Sequence, residues 1–378
     1  MSVPAPSLTM GIEEEYLLVD LETRDLVRSP PDVFMKDCVR SCGEQVTNEF
    51  MKCQLEVGTG VCANIQDARA DLGRLRKGVV SVARNYGWAP IAASTHPFAR
   101  WEQQQHTEKA RYETLAQDLG GAVRRLLICG MHVHLGIEDE DTRIDLMNQV
   151  TYFLPHLLCL TTSSPFWQGR DTGLNSYRLT VFDGLPRTGL PDAFDSYAQY
   201  QRMVAQLVKA GALEDGSKIW WDVRPSARFP TIEARMMDVC TRIEDALSIA
   251  ALFQCIVSML FRLRKRNQRW RIYPHTLIKE NRWRAQRYGP RRELIDFGAG
   301  EMLPASSLID ELIHLTREDA QLFNCTAEIE RSREIVKSGT SAESQRRVYR
   351  QAMDAGADQH EALCAVVDYL VQETASGL

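Results

Sequence analysis

The spacing of apolar positions changes along this chain, and each spacing names an element. Ile65, Ala68, Leu72, Leu75, Val79, Val82 and Tyr86 recur at steps of three and four, which predicts an amphipathic helix over 65–86. Asn64 can cap its start and Gly87 can end it. Between residues 127 and 137 the period falls to two. Met131, Val133, Leu135 and Ile137 share one face, and Gly130, His132, His134 and Gly136 share the other, so this is a strand. The two glycines are expected to leave the histidine face open to a ligand.

The same reading predicts strands over 10–20 and 89–94, and strands with turns over 218–238. Helices are expected over 110–119, 141–162, 197–211 and 243–265, and from about residue 306 to the end, where Thr340 and Glu343 have capping-box spacing. Residues 163–189, rich in Gly, Pro, Asp and Arg, read as a long ordered loop region. No internal repeat or low-complexity linker interrupts the pattern. The prediction is an α+β fold: one catalytic domain over 10–378, an antiparallel sheet backed by helices, helical from about 306, after a flexible lead-in over 1–9.

Composition narrows the class. The chain has 378 residues, 44% apolar and 25% charged, with a net charge of -5, as in a globular protein with no global pull toward nucleic acid. The apolar run 246–261 is shorter than the roughly 20 residues that span a bilayer, so a buried helix is expected and no membrane partner. Ten cysteines are scattered without a CxxC pair, and no signal-like segment precedes them, which suggests a reduced, cytoplasmic protein. Residues 262–292 hold twelve basic residues against one acid, Glu280, with aromatics among them. In a chain acidic overall they read as a solvated helix end and a loop near the active site, not as a nucleic-acid surface.

Three segments place charged side chains two residues apart: Glu13 with Glu15, His132 with His134, and Glu233 with Arg235. On strands each pair shares a face. Glu13 and Glu15 would repel unless a cation lies between them, and hard ions such as Mg²⁺ take carboxylate oxygens; a solvated sheet edge is the plain alternative. His132-x-His134 also suits zinc, although no third histidine or cysteine ligand is evident. Glu233 and Arg235 can be a simple ion pair, yet Arg224 and Arg228 stand in the preceding turn, and arginines converging on acids suit anionic oxygens. Glu49 and Glu56 flank the next acidic segment, and Arg170 and Arg178 lie in the Gly-rich loop. No P-loop, Rossmann glycine fingerprint or GxSxG elbow occurs.

The ordered set GIEEEY, QLEVGTGVC, STHPF, GMHVHLG, SSPFWQGRDTG, WWDVRPSARFPTIEARMMD and RAQRYG resembles the bacterial glutamate–cysteine ligase type 2 family, the carboxylate–amine ligases, over residues 10–290. The resemblance implies a glutamine synthetase-like catalytic domain, with the site on the concave face of a curved antiparallel sheet. It implies ATP-dependent amide formation through an acyl-phosphate, with glutamate and cysteine as small-molecule substrates. By position, Glu13, Glu15, Glu49, Glu56, His132 and Glu233 would bind Mg²⁺ or Mn²⁺, and His134 would lie near the nucleotide phosphates. Arg224 and Arg235 would hold the phosphate and acyl substrate, Arg228 the nucleotide, and Arg170 and Arg178 the substrate. A homodimer is implied by resemblance alone. A zinc-dependent hydrolase and an ATP-binding regulatory protein are the readings from other classes.

Overall fold

The computed structural model describes residues 4–108 and 119–378; the helix expected over 110–119 falls on the stretch outside them. The main sheet has seven strands: β1 Met10–Asp20, β2 Val46–Asn48, β3 Gln54–Gly58, β4 Trp88–Ile91, β5 Gly130–Gly136, β6 Val223–Pro225 and β7 Thr231–Asp238. It runs in the order β6-β7-β5-β1-β3-β2, with β4 also paired to β1. Every pairing in it is antiparallel, and with the surrounding helices this is an α+β fold.

The alternation of β1 follows from what covers each face. Met10, Ile12, Glu14 and Tyr16 are buried, while Gly11, Glu13 and Glu15 remain partly open. From Leu17 onward both faces are covered, which is why the acidic face turns apolar at Leu17 and Val19. Glu14 is an acid in the core. It is fully buried against Arg76 of the helix Ile65–Arg84, with Nη2–Oε1 and Nε–Oε2 contacts of 2.6 and 2.7 Å. Arg76 spends two more donors on the carbonyls of Cys240 and Thr241, each at 2.8 Å, and Tyr16 donates its hydroxyl to Glu14. Such a pair is stable in a core because four of the five guanidinium protons find acceptors. It ties β1 to the helix beneath and to the turn after β7.

Asn64 caps the helix Ile65–Arg84 by accepting from Asp67 N, as expected. The helix Ile243–Lys265 has its expected bounds. At 23 residues it is long and apolar enough to cross a bilayer, but 89% of its apolar window is buried inside the protein, so it is a core helix. Thr340 and Glu343 form the capping box of the helix Ser341–Asp354.

Several expectations change. Residues 262–292 are not merely a helix end and a loop: His275–Tyr288 is a further helix. Its Arg282 is buried between Asp183 and Asp222, with contacts of 2.7 Å to each. The region 163–189 contains the short hairpin Phe166–Trp167/Arg170–Asp171 and the helix Arg178–Phe182. Residues 7–9, expected to be loose, are tied down. Ser7 N donates to Glu138 Oε2 and Leu8 N to the Gly136 carbonyl, while Gln254 Nε2 donates to the Leu8 carbonyl.

Candidate active site

Five adjacent strands bring the charged residues together by register. His132 lies opposite Glu13, and Glu15 opposite Glu56. His134 lies opposite Glu233, which lies opposite Arg224. All of them line one cavity of about 450 Å³, together with Glu49, Arg178, Arg228 and Arg235. The three pairs read from the sequence therefore share one sheet face.

The donor atoms fall into two groups. Those of Glu13, His134 and Glu233 lie within 4.8 Å of one another, and so do those of Glu15, Glu49 and Glu56. The second group is all carboxylate, the donor set that Mg²⁺ or Mn²⁺ prefers. Its electrostatics fit a cation. Burial first, and then the charge of Glu49, push Glu15 up to about 8. Burial and the neighbouring carboxylates Glu49, Glu13 and Glu15 raise Glu56 well above its ordinary value. Carboxylates this close hold onto protons until a positive charge replaces them.

The two carboxylates of the first group are held ionised already. Burial would raise Glu13, but hydrogen bonds and charge from His132 and His134 hold it well below the carboxylate range. Burial likewise opposes ionisation of Glu233, and Arg235 and Arg224 overcome it. Arg224 grips Glu233 in a fork of 2.9 and 3.2 Å, and Arg235 also reaches it.

The two histidines sit in different surroundings. His134, not His132, shares a donor cluster with Glu13 and Glu233. Its Nε2 lies 3.3 Å from Glu13 Oε1, and its Nδ1 lies 3.0 Å from Thr231 Oγ1. The hydroxyl orients the ring and leaves Nε2 facing the acids. His132 supports Glu13 instead, through Nδ1 at 3.0 Å from Oε2. Burial and the nearby Arg235 charge lower its pKa to about 4, so it is neutral.

The glycines of β5 do not leave an open face. A Cβ on Gly130 would come within 2.9 Å of Arg178 Cζ, and one on Gly136 within 2.7 Å of Thr9 Oγ1. The reason lies in a bulge on β7. Ala234 pairs with Val133 and Met237 with Met131, so Arg235 and Met236 together oppose His132. A bulge leaves carbonyls off the ladder. Arg178, 2% exposed, supplies the missing donors, with Nη2 at 3.2 Å from the Arg235 carbonyl and Nη1 at 3.3 Å from that of Met236. Only a glycine at 130 gives the guanidinium room. Arg178 therefore lines the cavity as a strut that aims Arg235.

Arg170 departs furthest from expectation. It is exposed on the hairpin and is not part of the cavity lining. Arg228 lines the cavity from an exposed turn. Sequence reasoning missed Lys218, buried in the cavity wall with Nζ 3.9 Å from Glu214 Oε2. It also missed Thr231, behind His134, and Gln54, whose amide donates to the Ile128 carbonyl at 2.7 Å. Only the short spacing of Lys218 from Arg224 could have drawn attention to it.

Comparison with known proteins bears on the family and the fold. The profile of glutamate–cysteine ligase family 2 (GCS2) matches residues 9–367. A protein of Rhodospirillum rubrum named "Putative glutamate–cysteine ligase 2" is 56% identical over 377 residues, covering 99% of this chain and 97% of its own length. The structure of glutamate–cysteine ligase from Francisella tularensis in complex with AMP superposes with a TM-score of 0.70 at 14% identity, covering 100% of this chain and 90% of that one. A bifunctional glutathione synthetase from Pasteurella multocida superposes at 0.65 and 16% identity, covering 97% of this chain and 52% of its own. At such identities the structural likeness shows a shared fold. The profile match and the near full-length identity show more than the fold: this chain belongs to glutamate–cysteine ligase family 2.

Proposed function

We propose that the protein is an ATP-dependent carboxylate–amine ligase that uses Mg²⁺ or Mn²⁺ and joins the γ-carboxylate of glutamate to the amine of cysteine, giving γ-glutamylcysteine. One observation carries this reading: two three-donor clusters lie on the floor of a cavity whose walls carry Arg224, Arg228, Arg235 and Lys218. Such a site handles several anionic oxygens at once. The AMP held by the Francisella tularensis relative supports a nucleotide substrate.

A carboxylate is a poor electrophile. Transfer of the γ-phosphoryl group to a carboxylate oxygen releases ADP and leaves an acyl-phosphate. Attack by the amine nitrogen on the acyl carbon then forms the amide, expels phosphate and gives up a proton. Positioning and charge neutralisation dominate such transfers. In this reading Glu13, His134 and Glu233 hold one cation and Glu15, Glu49 and Glu56 another, with His132 steadying Glu13. Bound there, divalent cations would neutralise phosphate oxygens. Arg235 turns from Glu233 toward the transferred group, Arg224 stays clamped on Glu233, and Arg228 and Lys218 meet the outer phosphates. No side-chain nucleophile is needed, in keeping with a cavity lining that contains no cysteine. One catalytic domain over 10–378, cytoplasmic and homodimeric, belongs to the same proposal.

The test is phosphate release with ATP, Mg²⁺, glutamate and a panel of amines. Release that requires glutamate and cysteine together is the expected result. ATP binding without release on any acid–amine pair would leave a regulatory protein, and ATP-independent hydrolysis dependent on zinc would replace the ligase reading.

A further inference from the structure

A second cavity, of about 470 Å³, shares no lining residue with the first. It lies among the turn Thr151–Phe153, the segment 266–274, the hairpin Glu293–Asp296/Glu301–Pro304 and the helix Ala305–Leu315. We propose that it is a binding site for a small organic cation: an ammonium, a quaternary ammonium or a guanidinium.

Its wall carries the aromatic rings of Tyr152, Phe153, Trp270 and Tyr273. The Tyr152 ring lies 5.4 Å from that of Trp270 and 5.4 Å from that of Tyr273. The negative faces of such rings attract cations, most strongly for Trp. The protein already uses one of them this way: the Arg271 guanidinium carbon stands 5.2 Å over Tyr273. Arg271 is exposed on its segment, so a competing cation displaces it into water at little cost.

Two carboxylates, Asp296 and Glu311, complete the lining. Both act on the Tyr152 hydroxyl, which burial and then their charges push well above its ordinary value, as a negative potential inside would. Asp296 also accepts from the Gly298 and Ala299 backbone at 2.7 and 3.1 Å. Glu311 makes no hydrogen bond or ion pair with any described residue, so its charge is unmatched. The other lining arginine, Arg269, is committed to Asp145 at 2.9 Å.

The most buried polar side chain of the lining is His156, 3% exposed. Burial lowers its pKa to about 4, against weaker contacts with the Phe153 and Tyr152 backbone, so the imidazole is neutral, and its buried Nδ1 makes no hydrogen bond of ordinary geometry. A neutral ring nitrogen can accept from an N–H donor. Aromatic faces, an unmatched carboxylate and a spare acceptor suit a cation with an N–H bond and some apolar surface. An anion would meet two carboxylates. A bare metal ion would find too few oxygen donors to replace its water.

The experiment is titration calorimetry on the full chain, with agmatine and tetramethylammonium as probes and benzoate as the anionic control. Trp270 fluorescence is read in parallel. Saturable binding of agmatine is expected, at least threefold weaker in Glu311→Gln and in Trp270→Leu. Phosphate release should be unchanged in Glu311→Gln, whose exposed helical position keeps folding intact. Trp270→Phe serves if the leucine variant does not fold. No saturable signal for either cation up to about 10 mM, unchanged affinity in either variant, or equal binding of benzoate would overturn the assignment.

Discussion

Replacing Glu15 with glutamine is expected to stabilise the metal-free protein in alkaline buffer while abolishing its turnover. Burial and the Glu49 charge raise Glu15 from an ordinary 4.5 to about 8. A group whose pKa is higher in the folded state contributes its stability fully below pH 4.5. That contribution is lost as the pH rises through 8. At about 1.4 kcal/mol per pH unit, the loss reaches about 5 kcal/mol. Unfolding entropy is about 2 cal/mol/K per residue, or about 0.8 kcal/mol/K for this chain, so the loss amounts to about 6 °C in Tm. Glutamine cannot ionise, and its amide oxygen still accepts from Gly130 N, which lies 2.7 Å from Glu15 Oε2. In EDTA the wild type should therefore fall behind Glu15→Gln by up to about 6 °C as the buffer moves from pH 4.5 to 8.5. Mg²⁺ should close about half of the gap, since a ligand at 100 times its Kd adds about 2.7 kcal/mol to a protein that binds it. Scanning calorimetry over a pH series, with EDTA and with Mg²⁺, reads both effects. A variant no more stable than wild type in EDTA at pH 8.5 would refute the crowded-carboxylate argument. An equal Mg²⁺ shift in both proteins would remove Glu15 from the cation site.

The remaining predictions concern what stands behind the site. Glu14→Gln strands Arg76 in the core and should cost about 3–5 kcal/mol in urea denaturation; a cost under 1 kcal/mol would mean that the pair is not what anchors β1. Arg178→Ala should lower kcat more than it raises either KM, with partial rescue by guanidinium in the buffer, while Arg170→Ala leaves both constants unchanged. A KM effect confined to glutamate would instead make Arg178 a substrate contact. Thr231→Val should weaken the Mg²⁺ or Mn²⁺ activation constant about tenfold and Thr231→Ser should restore it; equal constants in all three proteins would rule out orientation of His134 by the hydroxyl.

What the sequence disclosed was what depends on local period. Glu13-x-Glu15 and His132-x-His134 were legible because two-residue spacing on a strand decides the face, and Ile243–Lys265 because its apolar pattern is long and well bounded. What escaped depends on tertiary detail. Nothing local distinguishes His132 from His134; the hydroxyl of Thr231, 97 residues on, separates them. Arg170 and Arg178 share a loop, yet one turns to solvent and the other is drawn under a bulge that no spacing reveals. The helix His275–Tyr288 was obscured by its basic composition, because the acids that neutralise Arg282 come from residues 183 and 222.

The bulge at Arg235–Met236 has a consequence for how β7 can vary. It divides the strand into two halves of opposite parity. Before it, alternate residues serve the cavity; after it, Met236, Met237 and Asp238 serve the interior, where Asp238 accepts from Ser163 N and from the Ser164 and Ser176 hydroxyls at 2.7–2.8 Å. Deleting one residue at the bulge would restore a regular ladder and make a tidier strand. It would keep Glu233 opposite His134 and Asp238 opposite Gly130, but it would remove one of the two residues that face His132, and with it either Arg235 or a carbonyl that holds Arg178. The irregularity acts as a phase shifter: it puts Glu233 and Asp238, an odd number of residues apart, on the same face of β7, opposite His134 and Gly130. Length in this segment is therefore less free to change than residue identity.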